Sequence, residues 1–424
     1  MENLSFINFC IACAFVACSF YQIVYTVVKF IKKKKTYTAK KLSKYAVVVS
    51  ARNEETVIGQ LVESIRKQDY SAELVDIYVV ADNCTDKTAE IAENSGAVVY
   101  ERFDKKNVGK GYALHYLFDK IQEDFPNEKY DGYFIFDADN LLDVSYITEM
   151  NKVFTSGYPI VTSYRNTKNF GDSWISAGYG LWFLRESEFM NGPRAELGVN
   201  CIVSGTGYLF SDEILKKIGN WNYFSLTEDW QFTADMALAD EKIGYCSSAH
   251  YYDEQPIQLG QSIQQRSRWI KGCLQMMGEY GASLAKKLLK GGSFSCYDIL
   301  MNSLPIIVIT SASVILNMVM FVAGIVMSSG ELPIFFESLA QTIVNSYIAV
   351  YITGAMALVT EWKNIRCVTW KKVLYSFTYP FFVLTFMLAM MVALFSNVQW
   401  KPIEHTVAMS ISDIKSVSSG KERS

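Results

Sequence analysis

The sequence predicts an α/β domain with a Rossmann-like parallel sheet, placed between apolar helices that are long enough to cross a membrane. Within residues 45–163, short apolar runs typical of strands alternate with helical stretches. Alternation of this kind implies a parallel sheet with helices on both faces, a layout that binds nucleotides. Four much longer apolar runs lie on either side of that region. We therefore expect an α/β domain that is fixed to a bilayer.

The membrane prediction rests on the apolar runs at residues 7–31, 304–327, 339–359 and 373–395. Each is long enough, because a helix crosses a hydrocarbon core of ~30 Å with ~20 residues. The first run is too long for the apolar part of a secretion signal, so we expect it to be retained as a helix. Lysines accompany its C-terminal end at positions 29, 32–35, 40, 41 and 44. The positive-inside rule then predicts a multi-pass protein of the plasma membrane with a cytoplasmic α/β domain.

These features divide the chain into six segments. They are a transmembrane helix (1–35), the α/β domain (45–255), amphipathic interface helices (256–300), a transmembrane region (301–398), a short polar segment (399–409) and a disordered tail (410–424). Pro380 interrupts the fourth apolar run, so a re-entrant or interfacial segment stays open beside a full crossing. The nine cysteines show no paired spacing outside the apolar runs and are interpreted as packing residues. The net charge of -3 says little about partners, and no nucleic-acid partner is expected.

An acidic pair, Asp137 and Asp139, follows directly after the short apolar run at residues 133–136. That run reads as a strand buried on both faces. In open α/β sheets ligands bind beyond the carboxyl ends of the strands, and paired carboxylates are hard ligands that suit Mg²⁺ or Mn²⁺. The alternative is an ordinary helix cap or Asx turn that closes the strand.

Two further strand ends carry the same kind of side chain. Glu54 lies in the polar cluster at residues 50–55, and Asp82 begins the cluster at residues 82–86. If only one of these clusters were present, it could be explained as the acidic first turn of a helix, which is favourable at a helix N-terminus. Three such strand ends on one sheet rim favour a ligand site over three separate caps.

Three weaker motifs lie further along the chain. Residues 107–111 open a helix with glycines and Lys110, which suits an anion, although the pattern is not a Walker loop. Residues 227–229 (Thr-Glu-Asp) would serve as a helix cap, but Asp229 could equally act as a base for a sugar hydroxyl. Residues 265–269 lie on an amphipathic helix, where Arg268 and Trp269 are either interfacial anchors or contacts to a diphosphate and a sugar ring.

Taken together, these motifs resemble the family 2 glycosyltransferases, in particular the processive membrane-embedded synthases of cellulose, chitin and hyaluronan. The resemblance covers about residues 45–269 and rests on motif order and approximate spacing. The motifs are Asp82, Asp137-Ala-Asp139, Thr227-Glu-Asp229 and Gln265-x-x-Arg268-Trp269. The resemblance implies a GT-A-like domain. The chain differs from larger members in having one helix before this domain and no appended regulatory domain.

The resemblance assigns roles on the donor side. By this likeness Asp82 contacts the uridine, Asp137 the nucleotide, and Asp139 a Mg²⁺ or Mn²⁺ ion on the diphosphate, with Asp137 as a second metal ligand. Glu54 and Lys110 are weaker matches to uridine and phosphate contacts.

On the acceptor side, Asp229 is implied to be the catalytic base. Arg268 would bind the diphosphate and Trp269 the terminal sugar, with Gln265 in the same motif. Three residues would line the acceptor passage: Ser204, Gly205 and Thr206. The 399–409 segment stands where related synthases carry a gating loop, with Trp400 and His405 as its contact residues. The alternative for Trp400 is a juxtamembrane anchor.

The function expected from this resemblance is processive, inverting transfer from a UDP-sugar to a growing β-linked polysaccharide that is passed through the membrane. UDP-glucose is the favoured donor and UDP-N-acetylglucosamine the next. The polysaccharide could cross the membrane through a narrow passage within one copy of the protein or through a passage shared by two copies, and both interpretations remain. Two alternatives also remain: transfer of one sugar to a lipid acceptor, and a non-catalytic membrane scaffold or transporter.

Overall fold

The computed structural model describes residues 2–326 and 332–417. The strands are β1 (Tyr45–Ala51), β2 (Val75–Asp82), β3 (Val98–Arg102), β4 (Gly132–Asp137), β5 (Leu141–Leu142), β6 (Ile160–Thr167), β7 (Tyr208–Ser211) and β8 (Ile243–Asp253). The helices are α1 (Glu2–Ile31), α2 (Ile58–Arg66), α3 (Thr88–Asn94), α4 (Lys110–Asp124), α5 (Tyr146–Thr155), α6 (Trp174–Arg185), α7 (Gly192–Leu197), α8 (Asp212–Ile218), α9 (Glu228–Leu238), α10 (Leu259–Gly291), α11 (Phe294–Val326), α12 (Leu332–Thr360), α13 (Thr369–Leu384), α14 (Phe386–Phe395) and α15 (Ile411–Val417). A short 3₁₀ helix (Ala72–Leu74) precedes β2, and a π-helix (Glu186–Asn191) joins α6 to α7.

The strands form one mixed sheet in the order β3-β2-β1-β4-β7-β6-β8-β5. Strands β3, β2, β1 and β4 are parallel, as the βα alternation predicts. Strand β7 is antiparallel to both β4 and β6, and β5 is antiparallel to β8. Strand β6 runs in the same direction as these four strands, so the parallel arrangement predicted for residues 45–163 is confirmed apart from the two-residue β5. Strand β7 lies beyond that region and is reversed. The chain reaches β7 only after α6, the π-helix and α7, so it re-enters the sheet from the opposite end.

Both faces of the sheet are covered. Along β1, Val47 and Val49 pack with α2 and α5, while Ala46 and Val48 pack with α4 on the other side. Successive side chains of a strand point to opposite faces, so a strand covered on both sides must be apolar throughout. This is why the continuous apolar runs in this region predict strands correctly.

Three helical stretches in the described residues are long and apolar enough to cross a membrane: Phe6–Ile31, Leu339–Thr360 and Thr369–Phe395. The apolar run at 304–327 belongs to α11, except for residue 327, which lies outside the described residues. The last stretch is broken between α13 and α14, but the break falls at Thr385 rather than at Pro380. Arg266 of α10 donates to Phe382 O at 3.0 Å and to Thr385 Oγ1 at 2.7 Å. Helix α10 thus contacts this break through the buried Arg266.

A buried ion pair connects the α/β domain to the apolar helices. Arg194 of α7 donates through Nε to Asp298 Oδ2 at 2.6 Å and through Nη2 to Asp298 Oδ1 at 3.1 Å. Tyr25 of α1 donates to the same carboxylate at 2.9 Å. Both members of the pair are inaccessible to water. Three elements far apart in sequence therefore meet at Asp298, at the start of α11.

The C-terminal region is more ordered than expected. Helix α15 spans Ile411–Val417, and Ile414 packs with Met409 against Leu141 and Tyr252. The prediction of disorder for 410–424 is wrong for residues 411–417, and 418–424 lie outside the described residues. The polar composition of the tail conceals Ile411 and Ile414, two apolar residues spaced about one helical turn apart that both pack on this cluster.

Candidate active site

The acidic pair lies at the carboxyl end of β4, and Lys110 fixes its first member. The Lys110 ammonium donates to Asp137 Oδ1 and, at 2.7 Å, to Gly205 O. Asp137 N donates to Thr206 Oγ1 at 2.9 Å. Lys110 begins α4 after Gly109, whose φ of 142° favours glycine. Helix α4 and the 204–206 loop therefore meet at Asp137.

The second member of the pair, Asp139, is buried. Its Oδ2 accepts from Glu254 N at 2.8 Å, and its Oδ1 accepts from Asn140 Nδ2 at 3.0 Å. Burial by itself raises the pKa of Asp139, but the nearby cations His405 and Lys168 outweigh it and hold the pKa below the usual value. Asp139 is therefore a carboxylate at neutral pH.

The donor set fits a divalent metal ion. Asp137 and Asp139 supply hard oxygen atoms, and the side chain of Asp137 is 39% exposed. Within residues 2–326 and 332–417, no three His, Cys, Asp or Glu side chains are grouped to hold a metal ion. Two protein carboxylates are sufficient for Mg²⁺ or Mn²⁺, because these ions keep several positions for water and phosphate oxygens.

Two buried carboxylates begin α9 beside this pair. Burial raises the pKa of Asp229, and it raises that of Glu228 to about 7 against the effect of Lys110. Asp229 Oδ2 faces Gly205, where an added Cβ would lie 3.8 Å from it. Glu228 is 3.9 Å from Lys110 Nζ. A carboxylate with a raised pKa next to a ligand site has the properties of a general base.

Helix α10 brings the Gln265, Arg268 and Trp269 motif to the same place. Arg268 Nη1 donates to Leu226 O at 3.0 Å, just before Glu228 and Asp229. Trp269 packs edge-on against Tyr179 and Phe183 of α6, with ring centroids 5.8 and 6.1 Å away. Gln265 Oε1 is buried and accepts no hydrogen bond within the part of the chain that the structure describes.

Close packing of α10 against α9 depends on Gly272. A Cβ at this position would lie 2.7 Å from the backbone nitrogen of Thr227 and would also overlap the Thr227 side chain. We expect Gly272→Ala to lower the free energy of unfolding by about 1–3 kcal/mol and to reduce activity, because α10 must move away from Asp229. Thermal unfolding of the full-length protein measures the first effect, and the rate of UDP release, the activity that the sequence predicts, measures the second.

Gly278→Ala is the matched control on the same helix. No atom lies within 4 Å of a Cβ added at Gly278, and alanine favours the helix by about 1 kcal/mol over glycine. We expect this variant to be at least as stable as the parent and fully active. Equal behaviour of the two variants would contradict the importance of the contact with Thr227.

The 399–409 segment lies over the acidic residues. His405 Nδ1 is 2.9 Å from Glu54 Oε2, and His405 Nε2 is 3.9 Å from Asp139 Oδ2. Burial alone would lower the pKa of His405, but Asp139 and Glu54 raise it to about 10, so the ring is cationic. Trp400 stacks on the Arg52 guanidinium, 5.1 Å from the ring centroid.

Glu254 fastens this segment. Its carboxylate accepts from the backbone nitrogens of Thr406 at 3.0 Å and Val407 at 2.9 Å. Because Glu254 N also donates to Asp139, one residue connects the segment to the acidic pair.

Asp82, at the end of β2, has a partner that the sequence analysis missed. Arg102 at the end of β3 donates to Asp82 Oδ1 at 2.6 Å, and both side chains are buried. The Asp82 carboxylate is therefore held in place by the neighbouring strand.

The structure gathers most of the predicted site residues into two adjoining groups. Those around Lys110 are Asp137, Ser204, Gly205, Thr206, Asp229 and Arg268, and those around Asp139 are Glu54 and His405. Sequence reasoning missed Arg102, Arg165, Lys168, Glu228, Asp253 and Glu254. The sequence did contain a signal for Asp253 and Glu254, because these two carboxylates stand at the end of a run of aromatic residues typical of a strand.

The chain belongs to the family described as glycosyltransferase like family 2, whose profile matches residues 43–272. It is 24% identical over 240 residues to the beta-monoglucosyldiacylglycerol synthase of Synechocystis sp., a match that covers 55% of this chain and 48% of that protein. It is also 24% identical over 258 residues to the probable glycosyltransferase YdaM of Bacillus subtilis, covering 55% and 56%. The chain thus spans about half the length of these curated relatives.

The mannosyltransferase PcManGT from Pyrobaculum calidifontis, solved with GDP-Man and Mn²⁺, shares the architecture. Its TM-score is 0.59 at 14% identity, and the match covers 92% of this chain and 99% of that one. At this identity the similarity concerns the fold, and the expected GT-A-like fold is confirmed.

Proposed function

We propose that this protein is an inverting, membrane-bound glycosyltransferase that moves one hexose from a UDP-sugar to a hydroxyl group of a membrane lipid. The observation that carries the proposal is the position of Asp229. It is a buried carboxylate with a raised pKa, and it adjoins the Lys110–Asp137 pair through Gly205. A base and an anion-binding site in contact are the two parts that glycosyl transfer requires.

On the donor side, the residues provide charge and orientation. Asp82 holds the uridine, and Lys110, supported by Asp137, faces the phosphates. A divalent ion held by Asp137 and Asp139 would neutralise charge on the departing diphosphate. Lys110 contributes to the same stabilisation with a fixed positive charge.

On the acceptor side, Asp229 accepts the proton of the attacking hydroxyl group. The hydroxyl oxygen bonds to the anomeric carbon as the bond from that carbon to the diphosphate breaks, and the diphosphate leaves with the electron pair. Attack from the face opposite the leaving group inverts the anomeric centre, so an α-linked donor yields a β-linked product.

A lipid acceptor is favoured by the surroundings of Trp269. This residue packs on Tyr179 and Phe183, and Trp182 of the same helix stacks on Phe386 of α14 at 5.0 Å. An aromatic wall thus runs from Trp269, the neighbour of Arg268 in the sequence, to an apolar helix, and a lipid hydroxyl could approach along it. The synthase name of the Synechocystis relative is consistent with this acceptor class.

Processive synthesis of a β-linked polysaccharide is the second candidate. It is favoured by the Gln265, Arg268 and Trp269 motif lying next to Asp229, and by the 399–409 segment, which would act as a gate. In either case His405, 3.9 Å from Asp139 Oδ2, would lie close to the donor diphosphate. We propose UDP-glucose as the donor and UDP-N-acetylglucosamine as the next choice. Under both candidate functions, we propose that the protein passes several times through the plasma membrane and that its catalytic domain lies in the cytoplasm.

The test uses the full-length protein in lipid nanodiscs with Mn²⁺ or Mg²⁺ and a panel of UDP-sugars. A glycolipid carrying one sugar supports the proposed function, whereas a ladder of products supports the polysaccharide synthase. Absence of UDP release with every donor would leave a scaffold or transporter and overturn both enzymatic candidates.

The raised pKa values predict the pH dependence. Glu228 has a pKa of about 7 and the pKa of Asp229 is also raised, so both stay protonated to higher pH than ordinary carboxyl groups. A protonated carboxyl group cannot accept a proton. We therefore expect kcat/KM to fall as the pH is lowered, in a range that lies above the ordinary carboxyl value of about 4. A pH profile that stays flat down to about pH 5 would contradict this.

A further inference from the structure

A buried lysine lies on the donor side of the site without a role in the mechanism above. Lys168 directly follows β6, and its backbone N–H donates to Asp253 O at 2.8 Å, which fixes it beside the end of β8. Only 4% of the residue is exposed. Burial of an ammonium group is unfavourable unless opposite charges compensate it. A position of this kind calls for an explanation.

The charges around Lys168 are those of the candidate active site. Burial lowers the pKa of Lys168, and four carboxylates oppose that effect, Asp139 most strongly, followed by Glu254, Asp253 and Glu54. The environment is nevertheless incomplete: within residues 2–326 and 332–417, the Lys168 ammonium makes neither a hydrogen bond nor a close ion pair. Lys110 differs, because it bonds directly to Asp137 and Gly205. Consecutive residues hold Lys168 and Asp139, because Lys168 N donates to Asp253 O and Glu254 N donates to Asp139 Oδ2. Lys168 is thus a largely buried residue on the Asp139 side of the site, and its ammonium keeps unused donors.

We propose that Lys168 binds the diphosphate of the nucleotide-sugar donor from the Asp139 side, opposite Lys110. The inference rests on the proposed function, since it requires a nucleoside diphosphate in this site. An anion placed beside Asp139 would give the ammonium the partner that it lacks. Two lysines would then hold the phosphates, and both would stabilise the charge that develops as the bond to the sugar breaks.

The competing explanation is that Lys168 only neutralises the four carboxylates. In that case its loss would affect folding, or would strengthen metal binding by removing a repelling charge, and would act equally on ligands with one or two phosphates. If Lys168 contacts the diphosphate directly, its loss should weaken the binding of a ligand with two phosphates more than that of a ligand with one. The comparison of UDP with UMP therefore separates the two roles.

The experiment measures Kd for UDP and for UMP in the full-length protein at saturating Mn²⁺, with Lys168→Met and Lys168→Gln. We expect both variants to weaken UDP binding about tenfold and UMP binding less than about twofold, since one charge-assisted contact is worth roughly that factor. Lys67→Met, which removes an exposed lysine directly after α2, is the control and should leave both constants unchanged. Binding of Mn²⁺ alone should not weaken.

The outcomes are decisive in both directions. If the Met variant fails to fold, the Gln variant, which keeps a polar side chain of similar length, decides; if neither folds, Lys168 is a structural counter-ion and the inference is wrong. Unchanged UDP binding, or equal losses for UDP and UMP, also overturns it. A parent protein that binds no UDP with Mn²⁺ or Mg²⁺ would instead overturn the proposed function.

Discussion

Asp229→Asn is expected to abolish transfer while leaving UDP-sugar binding almost intact. The substitution keeps the size and polarity of the side chain beside Gly205 but removes its ability to accept a proton. General base catalysis typically contributes about 10²- to 10⁴-fold, so we expect kcat to fall within that range. Donor binding, measured by calorimetry at saturating metal, should change less than about threefold, because Asp137 and Lys110 are untouched.

Asp240→Asn is the matched control for this change. Asp240 follows α9, is 82% exposed, and has a φ of 59°, a conformation that asparagine adopts readily. It should keep the parent kcat. The base assignment would be wrong if Asp229→Asn lost donor binding as severely as transfer. It would also be wrong if Glu228→Gln abolished transfer while Asp229→Asn did not.

Asp139→Ala is expected to eliminate the metal dependence of nucleotide binding. Asp139 is the buried member of the acidic pair, and the cations around it keep it ionised. With Mn²⁺ present, we expect Kd for UDP to rise at least about a hundredfold. Loss of a direct metal ligand weakens metal binding more than loss of an outer residue that only hydrogen-bonds to a ligand. Without metal, the variant and the parent should bind UDP equally weakly.

Asp139→Asn provides the control for packing. The amide keeps the volume and an oxygen for Glu254 N, but it lacks the charge. It should show the same loss of metal dependence with a smaller effect on thermal unfolding. A variant that still binds UDP more tightly when Mn²⁺ is added would exclude Asp139 as the metal ligand.

The sequence predicted the sheet rim well because that prediction depended on local patterns. Apolar strands ending in Ser50, Asp82 and Asp137 could be recognised one by one, and parallel pairing brings their ends to one edge. The α9 and α10 motifs were recognised through family resemblance. Their proximity to the rim depends on Gly272 meeting Thr227, a contact between distant segments that no local pattern contains.

Several parts that escaped prediction depend on non-local contacts. The reversed strand β7, the Asp82–Arg102 pair and the packing of Ile414 against Leu141 each join segments whose sequences give no hint of one another. Lys168 was overlooked for another reason. Lysines are rarely buried, so a single lysine after a strand is normally interpreted as exposed.

The Arg194–Asp298 ion pair has a practical consequence for anyone who wishes to study the catalytic domain alone. A shortened protein that ends before α11 would lack Asp298 and would leave a guanidinium group enclosed in protein without its counter-charge. Breaking a buried pair in this way costs about 3–5 kcal/mol, a large part of the stability of a typical domain. Soluble fragments of this protein will therefore need Arg194 replaced by an apolar residue, or the beginning of α11 retained in detergent.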